Sequence, residues 1–167
     1  MIRLTSAALL PPVVHGADYI PRLVAMVRPP RWVIDITSGR ACHTYAAGAA
    51  VGLMDAAIRE RSNPLLSQGG RAWDAYAAAL DKQWSVIVAG GGFAPGRWEY
   101  VKYTRLYRSD GSMGFPRMDE TGMIRSVPDD CYLVCTCREH EGCHLRVLAP
   151  HLVRAGHAVS LYGKEIG

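Results

Sequence analysis

Apolar residues recur along the chain in two rhythms, the 3.6-residue period of helices and the short unbroken runs of buried strands. Met1–Ser6 reads as a first strand. Asp18–Arg28 places Ile20, Leu23, Val24 and Val27 at helical spacing and halts at Pro29-Pro30, which predicts a helix. Arg31–Ile36 is a compact β-branched run that ends in the turn signal Thr37-Ser38-Gly39, which predicts a strand. An Ala-rich helix is expected from about Tyr45 to Arg61, broken by Ser62-Asn63-Pro64. A second helix is expected over Arg71–Lys82, with Trp73, Tyr76, Ala77 and Leu80 on one face. Trp84–Ala89 reads as a buried strand leading into Gly90-Gly91-Gly92, where a turn is the plainer reading than a phosphate loop. Cys131–Thr136 predicts a strand, Cys143–Ala155 a helix that Pro150 should weaken and Gly156 should end, and His157–Tyr162 a closing strand. Apolar runs alternating with helices predict one α/β domain over residues 1–167, in three layers, with a mostly parallel sheet flanked by helices.

The segment from about 93 to 130 breaks this rhythm. Its Gly, Pro and Asp content predicts a loop-rich insertion. Inside it, Arg97–Arg108 carries four basic and four aromatic residues in twelve positions and, with Glu99, a charge of +3. Such a mixture suits nucleotides or single strands, because aromatic faces stack on bases while cations meet phosphates. Tyr100, Tyr103 and Tyr107 also fall on one helical stripe, the pattern of a face packed on a core.

Composition narrows the class. The chain has 167 residues, 49% of them hydrophobic and 20% charged, which excludes disorder for the whole and suits one globular core. A net charge of +4 tolerates an anionic ligand without demanding one. Pro11 and Pro12 cut short the apolar start, and no stretch reaches eighteen apolar residues, so neither a signal peptide nor a membrane span is expected. An intracellular, cytoplasmic protein with reduced thiols is the resulting expectation.

Five cysteines are present, and four of them (Cys131, Cys135, Cys137, Cys143) lie within thirteen residues. There a strand ends, a short loop follows and a helix begins near Cys143. Ligands of open α/β sheets favour the carboxyl ends of strands, and a helix start suits an anion or a thiolate. Three readings stay open. Cys135 or Cys143 is a reactive thiolate, with His144 as base and Arg146 as anion clamp. Alternatively, cysteines and histidines hold zinc, although the spacing C-x3-C-x-C-x5-C-H lacks paired C-x2-C knuckles. In the third, the cysteines are small core hydrophobes.

The stretch Val134-Cys135-Thr136-Cys137 to Cys143-His144-Leu145-Arg146, with Gly156-His157 beyond it, resembles the family called domain of unknown function 488. That family has a strand ending in Cys, a short loop, and Cys-His-Arg opening a helix. Ile2 and Val33-Ile34-Asp35-Ile36 match its first strand and its Asp-Val-Arg element, so that both ends of the chain are covered. Thr37 stands where the family has Arg, and Leu145 separates His144 from Arg146. The Cys-x-Cys then Cys-His spacing is also similar to domain of unknown function 4326. A strand, a Cys and an Arg-bearing loop further resemble rhodanese-like sulfurtransferases, which would make Cys135 the sulfur carrier. A phosphatase loop is excluded, since Glu141 and Ala149 stand where its Arg would be.

Together these features predict an enzyme or binder for a phosphate-bearing ligand, a nucleotide or a nucleic-acid end, over the loop from Thr136 to His144. Cys135 or Cys143 supplies the thiolate and His144 handles a proton. Arg40 and Arg146 hold anionic oxygens, Asp35 orients the substrate, and Arg138 and His140 reach it from the loop. If the strands carrying them are neighbours, Asp35, Arg40 and His43 converge with His144 and Arg146. Otherwise Asp35 and Ser38 cap a helix and Cys42 is core. No cofactor is implied. The alternatives are a zinc-stabilised or purely structural module binding nucleic acid or protein, and rhodanese-like sulfur transfer.

Overall fold

A computed structural model describes residues 1–13, 16, 19–26, 29–37, 40–42, 49–63, 65, 70–104, 117–118, 125–137 and 142–167. In chain order its elements are β1 (Ile2–Ser6), a 3-10 turn (Ala7–Leu9), β2 (Arg22–Val24), α1 (Arg31–Ile36), β3 (Arg40–Cys42), α2 (Ala49–Arg61), α3 (Arg71–Ala89), β4 (Glu99–Thr104), β5 (Arg117–Met118), β6 (Arg125–Ser126), β7 (Cys131–Cys135), α4 (His144–Arg154), β8 (Val159–Leu161) and β9 (Lys164–Ile166).

The strands form one sheet in the order β5-β4-β3-β2-β7-β1-β8-β9, with β6 also paired to β4. Its centre, β3-β2-β7-β1-β8, is parallel throughout, with Leu4 opposite Leu133 and Val24 opposite Val134. Antiparallel strands close both sides: β4, β5 and β6 beyond β3, and β9 beyond β8. This is the α/β, mostly parallel architecture that the alternation of runs predicts.

Strand alternation divides the interior in two. Cys131, Leu133 and Cys135 of β7 face a large core with Leu80 and Trp84 of α3, Met54 and Ala57 of α2, and Leu145, Leu148 and Leu152 of α4. Val134, between them, faces a smaller core with Val24, Ala7, and Val33 and Ile34 of α1. A strand covered on both faces has no polar side to show. That accounts for the all-buried strand β2, with Leu23 in one core and Val24 in the other.

Three expected elements are corrected. Leu23 and Val24 belong to a strand, not a helix, because a doubly covered strand of apolar neighbours imitates helical spacing over a few residues. Arg31–Ile36 is a helix, not a strand. Pro30 enters it at φ −65° and ψ 156°, Arg31 pairs with Asp35 one turn on at 3.7 Å, and the Thr37 hydroxyl ends it by donating to the Val33 carbonyl at 2.6 Å. Trp84–Ala89 continues α3 rather than forming a strand. The buried series Tyr76, Leu80, Trp84 steps every four residues, and the helix stops only at Gly90, followed by the expected turn. Glu99–Thr104 is a strand, so the helical stripe imagined for Tyr100 and Tyr103 is not formed; Tyr107 lies outside the described residues.

The expected helix at about 45–61 is α2, described from Ala49. The junction elements stand as expected: β7 ends at Cys135, and α4 follows with Pro150 inside it. Gly156, at φ +100°, ends α4 by bonding the Val153 carbonyl while His157 N–H bonds that of Leu152. Helices α3 and α4 are tied by His151, wholly buried, whose Nε2 meets Asp81 at 2.8 Å and whose Nδ1 accepts from Arg154 at 2.9 Å. Among the described residues no helix is long and apolar enough to cross a membrane.

Candidate functional site

Strand β7 delivers Cys135 at the carboxyl edge of the sheet, beside Ser6 at the end of β1. The chain then turns through Cys137 and re-enters the core at Cys143, the N-cap of α4. Cys143 caps through sulfur, its Sγ accepting from the Leu145 N–H at 3.4 Å. Gly142 permits the approach: a Cβ there would stand 2.8 Å from the Trp73 indole, so only glycine lets the loop lie on α3. His144 donates from Nε2 to the Ala25 carbonyl at 2.5 Å, pinning the first turn of α4 to the end of β2.

The sulfurs of Cys135, Cys137 and Cys143 lie within 4.8 Å of one another. Cys135 and Cys143 are 3.4 Å apart and fully buried, and Cys137 is 5% exposed. The Arg61 guanidinium, from the end of α2, donates to Cys137 Sγ at 2.9 Å and to the Gly142 carbonyl at 3.1 Å. It thus brings positive charge to the sulfurs and ties the loop to α2.

These neighbours set the charge states. Burial pushes the Cys143 thiol up, but Cys135, Cys137, the Tyr162 hydroxyl and the Leu145 N–H outweigh it and hold the thiol well below its ordinary value. Cys135 moves the other way: its contacts with Cys137 and Cys143, then burial, raise it well above. Tyr76 is pushed up to about 12 by burial and by the nearby Cys137 and Cys143. Tyr162 is raised further, by burial first and then by Cys143. The shifts of Cys143 and Cys135 run in opposite directions, so of the two it is the Cys143 sulfur that gives up its proton more readily.

The expected site residues are only partly gathered. Cys135, Cys143 and His144 share the junction. Arg146 is on the exposed side of α4, its guanidinium 5.2 Å above the Tyr162 ring. Asp35 is on α1, which packs on the opposite face of the sheet from the cysteines, and it pairs with Arg31. The expectation that Asp35 ends a strand and meets the cysteine loop is therefore corrected. Arg40 lies on β3, separated from β7 by β2, so the neighbouring strands assumed for its convergence with Arg146 are not neighbours. Arg138, His140 and His43 lie outside the described residues.

Arg61, Tyr76 and Tyr162 are site residues without a sequence motif. Tyr162 left a faint signal, since it precedes Gly163 in a hairpin position that asparagine usually holds. Comparison of the chain with protein families, curated proteins and solved structures returns no match.

Proposed function

We propose that this chain is a binding module whose strand–loop–helix junction is organised by a thiophilic divalent metal, zinc first among them, held by Cys135, Cys137 and Cys143. The carrying observation is three buried sulfurs within 4.8 Å of one another, brought from a strand end, a loop and a helix cap. A zinc–sulfur bond of about 2.3 Å places tetrahedral ligand sulfurs about 3.8 Å apart, inside the spread of this cluster. Arg61 offsets the anionic charge that three thiolates around a divalent ion leave behind. In sequence, His140 lies three residues from both Cys137 and Cys143, a spacing that suits a fourth ligand.

The second reading, thiolate chemistry on a phosphate-bearing ligand, draws on the depressed Cys143 thiol at the start of α4. Its weakness is access, because Cys135 and Cys143 expose no surface to a substrate. Sulfur transfer through Cys135 is less favoured again, since that thiol is raised rather than lowered.

Metal analysis of protein purified without chelator, combined with alkylation of each cysteine across pH, tests the proposal. The expected result is about one zinc per chain, with Cys135, Cys137 and Cys143 protected until a chelator removes it. Metal-free protein overturns the proposal, and rapid alkylation of one cysteine below pH 7 in that protein moves the assignment to the thiolate reading.

A further inference from the structure

The two sides of the sheet are covered unequally. A parallel sheet is ordinarily covered on both faces, because its strands send apolar side chains to each. The central strands β3-β2-β7-β1-β8 are parallel throughout, and α2, α3 and α4 cover one side of them. Among the described residues the other side carries the 3-10 turn Ala7–Leu9 and α1, which share the small core around Val24 and Val134. The six residues of α1 span about 9 Å, whereas five strands lie about 19 Å across.

The outer surface of this thin layer is apolar at its centre. Leu9 of the turn is 52% exposed and Trp32 of α1 is 51% exposed, with exposed Ile36 one helical turn on. A half-exposed tryptophan leaves apolar area in water and is a common interface anchor. Arg31 and Asp35 complete the outward stripe of α1, both exposed and 3.7 Å apart. At about 100° per residue, Arg31 and Asp35 form one edge of that stripe, and Trp32 and Ile36 form the other.

We infer that this stripe is the centre of a two-fold dimer, in which α1 packs antiparallel to α1 of a second copy of the chain. A two-fold axis normal to an antiparallel helix pair keeps each edge of the stripe on its own side. Charged edge then meets charged edge, and Arg31 of each copy reaches Asp35 of the other. On the second edge, Trp32 of each copy lies against Ile36 of the other. With the axis passing between Val33 and Ile34, both pairings fall within about 1.5 Å of level, the rise of one residue. A parallel pair would instead set Arg31 against Arg31, which like charge disfavours. The pair within each helix is exposed and contributes little, so exchanging it across the interface costs little. A helix this short buries less than the about 800 Å² per partner of a standard interface, and Leu9 of the adjoining turn adds apolar area on the same side.

Sedimentation equilibrium of the full chain at low salt tests this. The parent should be dimeric at about 100 µM, and Trp32→Ala should raise the dissociation constant at least about tenfold. Arg31→Asp leaves α1 with two negative side chains, and Asp35→Arg leaves it with two positive ones. Each variant alone should dimerise at least about tenfold more weakly than the parent. Mixed in equal amounts they should pair with each other, giving a dimer of one chain of each, read by a mass tag on one variant. Neither variant keeps the ion pair within its own helix, so a purely helix-stabilising role for Arg31 and Asp35 does not produce that rescue. A parent that stays monomeric at about 100 µM overturns the dimer and leaves this face to a different protein. A dimer that Trp32→Ala does not weaken overturns its placement on α1. Failure of the mixed charge variants to pair overturns the antiparallel arrangement.

Discussion

The two faces of the sheet are built to different standards. One carries α2, α3 and α4 and a continuous core from Ile2 to Trp84 and Leu152. Among the described residues the other carries a 3-10 turn and the six-residue α1 over a small cluster around Val24, Val33 and Val134, with Trp32 of α1 half exposed. Cys135, Cys137 and Cys143 belong wholly to the first face. A cluster of sulfurs that must hold fixed spacing needs neighbours that cannot yield, and long packed helices supply them where a single helical turn and a half would not.

Truncations on the two faces should separate most widely. Leu148→Ala, on α4 and fully buried, is expected to lose about 3–5 kcal/mol, because rigid neighbours hold the cavity open. Ile34→Ala, on the buried side of α1, should lose about 2 kcal/mol, since a short helix over a small cluster settles into the gap. Denaturant unfolding with matched slopes measures both, and equal losses would break the comparison. Gly142→Ala should come next, at about 1–3 kcal/mol, because its Cβ meets the Trp73 indole. The same change should lower zinc uptake by moving Cys143 away from Cys137.

The smallest effect belongs to the sheet rim. Arg3, and then the Met1 ammonium, hold the Asp130 carboxyl below its ordinary value. A carboxyl with a folded pKa below its unfolded one stabilises fully above the ordinary carboxylate range and loses that contribution as pH falls through the folded value. Because Asp130 is more than half exposed, Asp130→Asn should cost under about 1 kcal/mol at pH 7 and flatten the acid limb of the stability curve. Urea midpoints across pH would show it, and an unchanged acid limb would remove the pair from the account.

Legibility in the sequence followed the same division. The junction could be read because its cues are local: a strand run up to Cys135, a loop, then Cys143 opening a helix whose apolar stripe Leu145, Leu148, Ala149 and Leu152 keeps one period. Elements α1 and β2 could not, since each is too short to show a period of its own, and the sheet decides between helix and strand there. Within the site, Cys135 and Cys143 announce themselves by clustering. Arg61 and Tyr162 reach the sulfurs through tertiary packing, from positions 76 residues before Cys137 and 19 after Cys143, where no local pattern marks them.

The strand order also sets a timetable for assembly. Neither β1 nor β2 pairs with the other: β2 meets β3 early in the chain, but its second edge and the first partner of β1 await β7, whose Val134 meets Val24 across 110 residues. During synthesis both strands therefore keep an open hydrogen-bonding edge until β7 has been made. Such long-range parallel pairing closes slowly. The three sulfurs come together only once β7 and the start of α4 have been made, so a metal captured at the junction would act late in folding, as the sheet closes, rather than seed it at the start.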